Sequence, residues 1–192
     1  MSFLRHTILT LSASVLLLAN PYQNQNEEIA SVIASGDKAS ELMLSTLGGA
    51  LKKHLKAGGP MDAVQFCTKE AFPLTDKVNK ELGKDVSIKR ISLKYRNPAN
   101  APQKDEQSIL EAMETLNSAG VILPEHMVEQ VDKDTYKYYK PLRINAEVCL
   151  KCHGNIKGSE MGAFVAKHYP QDKAVGYKMG DLRGAIVVTV KK

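Results

Sequence analysis

The sequence predicts an α+β protein in which helices come first and an antiparallel sheet follows. Two observations carry this. Over the first third of the chain apolar residues recur at three- and four-residue steps, the spacing of one helical face. Beyond it, β-branched and aromatic runs gather at residues 86–93, 135–144 and 184–190. No internal repeat or low-complexity stretch interrupts the pattern.

Over residues 27–55, Ile29 and Ile33, then Leu44, Leu47, Leu51 and Leu55, mark one helical face. Gly36 and the pair Gly48-Gly49 weaken its interior, so one bent helix or two are expected, ended by Gly58-Gly59. The face packs into a core, or it forms a dimerising hairpin that would make the protein a homodimer. Pro60 opens a second helix, because its fixed φ suits a first helical position. On that helix Val64, Cys67, Ala71, Val78 and Leu82 share a side; Pro73 is expected to kink it and Gly83 to stop it.

Residues 86–93 read as a strand, and residues 94–102 as a loop by their prolines and asparagines. Gln103 or Asp105 caps a third helix, whose inner face is Ile109, Leu110, Met113 and Leu116 and whose stop is Gly120. Residues 123–132 give no clear signal. Residues 135–144 form a strand in which Pro141 marks an edge position or a bulge. A short helix over residues 160–168 turns Phe164 and Val165 inward, and turns follow at residues 170–172 and 179–181. The near-continuous apolar run at residues 184–190 is the strongest strand and belongs at the centre of a sheet.

Between the strand at residues 135–144 and the last helix stands Cys149-Leu150-Lys151-Cys152-His153. Two cysteines three positions apart with a histidine directly after the second are the attachment signature of a c-type haem. The thiols add across two vinyl groups of one porphyrin edge, and the adjacent imidazole can then reach the iron. One covalent haem c is therefore expected, held between the helices and the sheet. A zinc site needs four ligands at compatible spacing, and one cysteine remains elsewhere. A redox dithiol wants CxxC opening a helix after a strand, whereas Cys149 follows the polar stretch at residues 144–148.

Haem attachment of this kind belongs outside the cytoplasm, and the N-terminus agrees. Arg5 and His6 precede an apolar run at residues 8–19, and residues 20–25 are polar, the outline of a secretory signal peptide at residues 1–19. Leu17 and Ala19 are not the small-x-small pair of a good cleavage site, so removal and retention as a membrane anchor both stay open. A periplasmic or otherwise extracytoplasmic location is expected either way. Residues 27–192 are then the haem c-binding domain. With 43% hydrophobic and 24% charged residues the composition is that of an ordinary globular protein. A net charge of +5, without a long basic run, gives no sign of nucleic acid as partner.

If Cys149 and Cys152 are spent on thioethers, Cys67 is left alone. It is an inert buried thiol or the sixth ligand of the iron, in competition with Met43, Met61, Met113, Met127, Met161, Met179, His54, His126 and His168, or with an open position. Arg90, Lys94 and Arg96 make their loop cationic. They are candidates to bind the haem propionates, or they form a solvated basic loop.

The order of motifs resembles the single-haem c-type, sensor-like family with a PAS-like fold, long catalogued only as a domain of unknown function. The matching stretches are residues 57–60 with 63–67, RISLKYRNPANAP at 90–102, YKPL at 139–142, residues 149–154, and AVGYKMGDLRG at 174–184. The resemblance implies N-terminal helices packed on a PAS-like antiparallel sheet, with His153 as one axial ligand and Cys67 as the other. It also implies a redox or gas sensor, with low-potential electron transfer as the alternative and an enzyme less favoured, since Cys67 would fill the position that turnover needs. No kinase or transmembrane output follows residue 190, so sensing is expected to require a separate redox or signalling partner.

Overall fold

A computed structural model describes residues 21–192, so the leader expected at residues 1–19 lies outside the described residues. The apolar run at residues 184–190 occupies the middle of a four-stranded sheet. β4 (Leu182–Lys191) pairs with β1 (Val86–Ile91) on one side and β3 (Thr135–Arg143) on the other, and β2 (Met127–Gln130) completes the order β1-β4-β3-β2. Every pairing is antiparallel. β2 comes from the stretch without a clear signal: it is four residues long, lies at an edge and has no fully buried position. It pairs only with residues 136–139 of β3, so Pro141 faces Ala185 of β4 and has no strand on its other side. The β3–β4 register shifts one residue later, between Leu142 and Arg143.

The pleat sends alternate residues to two faces. Ile88, Tyr136, Tyr138, Ile186, Val188 and Val190 turn toward the N-terminal helices and form one core with Val32, Ala39, Met43 and Val78. α1 (Pro21–Met43) starts earlier than the polar stretch at residues 20–25 suggests, and it runs through Gly36 without a break. Gly36 is a close approach: a Cβ there would stand 2.2 Å from Cγ of Tyr138. A π-helical turn, Leu44–Gly48, joins α1 to α2 (Gly49–Leu82), so the glycine pair widens the helix locally instead of ending it. Inside α2 only Gly59 leaves helical geometry, with φ 70°, directly before Pro60; Pro73 stays within the helix. Asn79 of α2 seals the outer edge of β1, donating from Nδ2 to Ile88 O at 2.9 Å and accepting Ile88 N at 2.7 Å.

On the other face Ile91, Tyr139, Ala185 and Val187 pack on Leu110 and Met113 of α3 (Lys104–Ser118). The start of α3 is fixed by Gln103 N donating to Glu106 Oε2 at 2.9 Å. Glu106 is completely covered and also accepts from Lys89 Nζ at 2.8 Å and Lys137 Nζ at 3.1 Å. Two short helices, α4 (Glu147–His153) and α5 (Glu160–His168), lie against α2 beyond the end of the sheet. Among the described residues no helix is long and apolar enough to cross a membrane.

Candidate functional site

The pentapeptide at residues 149–153 is helical: it forms most of α4, ending at Gly154. Three-residue spacing on a helix puts Cys149 and Cys152 on one side. Both are free thiols and partly covered. Cys149 packs beside Ile144, Ala174 and Tyr177, and Cys152 beside Val64, Met161 and Val165, so Cys152 faces α2. A CxxC on a helix after a strand meets part of the redox-dithiol pattern. The electrostatics do not, because burial pushes the Cys152 thiol above its ordinary value, whereas a redox dithiol needs a lowered one.

His153 is held by its neighbours in one tautomer. Its Nδ1 lies 2.9 Å from the carbonyl oxygen of Ala174, which can only accept, so Nδ1 carries the proton and Nε2 keeps its lone pair free. Burial, with Arg183 and Arg96 nearby, pushes its pKa down to about 3, so the imidazole is neutral. Tyr177 meets it edge-on at 6.1 Å between ring centres. The segment that carries Ala174 is stitched to α4 by Gly176 N to Gly154 O and Tyr177 N to His153 O, each 3.0 Å.

Cys67 lies in the Pro60–Leu82 part of α2 and lines a cavity of about 170 Å³ with Met43, Leu47, Gly48, Phe66 and Arg90. Burial raises its thiol pKa; Arg90 pulls the other way, Cys152 adds to the rise, and Arg96 opposes it. Cys67 and Cys152 are thus near one another, on the contacting helices α2 and α4. Among the other ligands that composition allows, Met43 stands on the same cavity wall. Met113 is in the core on the far face of the sheet, Met179 is exposed, and His126 stacks on Tyr138. His54 is bonded to Asp62 at 2.7 Å and stacked on Phe66, and His168 is an exposed residue bonded to Phe164 O. Among the described residues no three His, Cys, Asp or Glu side chains converge to hold a metal ion.

The three loop cations differ. Arg90 is half-buried, makes no ion pair among the described residues, and its covered Nε has no hydrogen-bond partner. Lys94 donates to Val175 O at 2.8 Å and sits 4.2 Å from the centre of the Tyr177 ring. Arg96 is committed to protein groups: Asp172 Oδ1 at 3.2 Å, Cys152 O at 2.7 Å and Ala174 O at 3.1 Å. A fourth cation escaped the reading of the sequence. Arg183, at the start of β4, donates to Ser92 Oγ at 2.8 Å and lies 5.5 Å from the Tyr177 ring. It is isolated from the basic loop in sequence, and its signal was a charge at the mouth of the most apolar strand. Asp172, within a stretch legible only as a turn, is the other residue missed.

The model of the Tll0287-like family matches residues 16–191. Among solved structures the chain is similar to the cyanobacterial haem-protein Tll0287, at 25% identity and a TM-score of 0.58, with 91% of this chain and 98% of that one covered. Among curated proteins none matches. A family model that spans nearly the whole chain and a solved structure that shares its architecture lead to one statement: this chain belongs to the Tll0287-like family.

Proposed function

We propose that the protein is an exported, mono-haem c-type cytochrome of PAS-like fold that serves as a redox-responsive sensor, with His153 and Cys67 as axial ligands. The observation that carries the reading is His153: directly after two free cysteines on one helix side, its Nδ1 is committed to Ala174 O and its Nε2 is left free to bind iron. The similarity to a haem protein supports the same cofactor. The donor set fits it. Cys149 and Cys152 would fix the macrocycle through thioethers, and Cys67 offers a sulfur from the facing helix. Arg90, with a buried donor unspent, would meet a negative charge there, on a propionate or on the sulfur.

Bound haem would supply one reversible electron at iron. The chain's own part is to hold the two sides unequally. His153 is tied through its second nitrogen and through the backbone of α4, whereas Cys67 stands beside an apolar cavity under the π-helical turn. With haem bound, Cys67 would be the less firmly held of the two donors, and α2, which carries it, would pass a change of redox state to a signalling or redox partner. A covalent haem would survive denaturing electrophoresis of protein matured in the periplasm, and Cys149→Ala with Cys152→Ala would abolish it. Reduced protein should bind carbon monoxide with a changed spectrum. A six-coordinate spectrum indifferent to carbon monoxide would sink the sensor and favour a low-potential electron carrier.

A further inference from the structure

The carbonyl oxygen of Ala174 accepts two hydrogen bonds, from His153 Nδ1 at 2.9 Å and from Arg96 Nη2 at 3.1 Å. Arg96 Nη2 also donates to the carbonyl of Cys152 at 2.7 Å, the residue just before His153. Asp172 Oδ1 accepts Arg96 Nε at 3.2 Å and the Ala174 amide at 2.9 Å, so one carboxylate holds both the guanidinium and the residue whose carbonyl oxygen Arg96 and His153 share. The arrangement is sheltered: the Arg96 and Asp172 side chains are 12% and 8% exposed. A planar fork that spans two carbonyls and a carboxylate is a task for arginine and not for lysine.

We infer that Arg96 is a positioning residue for the imidazole, acting through the shared oxygen of Ala174: it fixes the His153 ring and restrains the electron density that His153 gives to iron. This rests on the haem reading. An oxygen that already faces a guanidinium is a weaker acceptor for the Nδ1 proton. The weaker that bond, the less imidazolate character His153 acquires, and the less it stabilises the oxidised iron. Asp172 opposes the effect by taking part of the guanidinium charge, so the pair sets the strength of the ligand as well as its place. Without Arg96, Ala174 O turns wholly to His153, and the reduction potential falls.

Two forms of the full chain test this: haem-loaded protein from periplasmic maturation, and haem-free protein made in the cytoplasm under reducing conditions. In the loaded form, Arg96→Lys and Arg96→Gln should each shift the redox equilibrium about tenfold toward the oxidised state, a fall of about 59 mV for one electron. In the haem-free form, the Nδ1 proton resonance of His153 should move downfield in both variants, the mark of a stronger hydrogen bond. A Lys variant with the parent potential and an unmoved proton, beside a Gln variant of lower potential, would reduce Arg96 to a charge acting through space and overturn the proposal. Parent values in both variants would make Arg96 a purely structural tie and overturn it equally. Should the Gln variant not fold, the Lys variant decides on the same readings. A chain that takes up no haem sinks the reading underneath, while the proton resonance still decides whether Arg96 governs His153.

Discussion

Lys89 and Arg90 are consecutive residues of β1, and the pleat sends them to opposite faces of the sheet. On the α3 face Lys89 meets Glu106, which has no exposed surface and is matched by Lys89, Lys137 and the Gln103 amide. On the α1–α2 face Arg90 is half-buried, with no ion pair among the described residues and with its covered Nε unmatched. Burying a charge is tolerable when hydrogen bonds and a counter-charge compensate it, and expensive otherwise. The first charge is thus scaffold, complete within the chain, whereas the second is half of an interaction whose other half the chain brings only with Cys67 or with a bound anion. The unmatched charge stands on the side of the sheet where the haem is proposed to bind.

The sharpest way to break this comparison is to remove the matched anion. Glu106→Ala takes from the buried Lys137 its fully covered partner and leaves it only the exposed Asp105, and the chain should lose about 3 kcal/mol in urea unfolding. A loss below about 1 kcal/mol, the range of exposed pairs, would mean that the α3 face is no more closed than the other.

Acid probes the same carboxylate more gently. Burial raises the Glu106 pKa, but hydrogen bonds from Lys89, the Gln103 amide and Lys137 outweigh that and hold it below the ordinary glutamate value of 4.5. A carboxyl whose folded pKa is depressed stabilises the fold above its unfolded pKa, and that stability drains away as pH falls through the folded value. Stability measured from pH 7 downward should therefore stay level until about pH 5 and then decline, and Glu106→Gln should flatten the decline. An unchanged profile in that variant would assign the acid sensitivity to other carboxylates, such as Asp105, which is bonded to the same Lys137.

The opposite sign is expected at Arg90. In haem-free protein Arg90→Met removes a half-buried charge without a partner among the described residues, and the unfolding free energy should stay level or rise, by about 1 kcal/mol. In haem-loaded protein the same change removes a partner and should cost stability. Equal signs in the two forms would show that Arg90 is scaffold after all.

What could be read in advance follows the same division. The central strand, the capped α3 and the break at Gly59-Pro60 were legible because local rules set them: an apolar run, an amide-to-glutamate bond, a φ that glycine accepts. The cysteine pair and His153 could be singled out because covalent haem attachment would require contiguous residues. Asp172, Ala174 and Arg183 were not, since each is remote in the chain from the residue it acts on, Asp172 from Arg96 and the other two from His153, and the carbonyl of Ala174 carries no residue identity. Gly36 misled for a related reason: it weakens a helix locally, but Tyr138, about a hundred residues on, requires its bare Cα. The basic loop read as one unit, and contacts alone divide it into an unmatched Arg90, a Lys94 on Tyr177 and a committed Arg96.

The smallest effect on stability is expected where the effect on the site is largest. Cys67 is partly covered and borders a cavity, so Cys67→Ala gives up few contacts and should cost about 1 kcal/mol or less. On the motif side the His153 imidazole is bonded to Ala174 O and meets Tyr177 edge-on, and Arg96 is joined to Asp172 and two carbonyls, so neither can be spared so cheaply. If the unmatched face is the responsive one, the cheap substitution must change the Soret band and raise the reduction potential, since a sulfur that stabilises oxidised iron is gone. A spectrum and potential like those of the parent would transfer the sixth position to another residue, with Met43 on the same wall as the first to replace. Stability and spectroscopy moving together, both by much, would mean that Cys67 holds the fold as firmly as His153 does, and the inequality between the two faces would be lost.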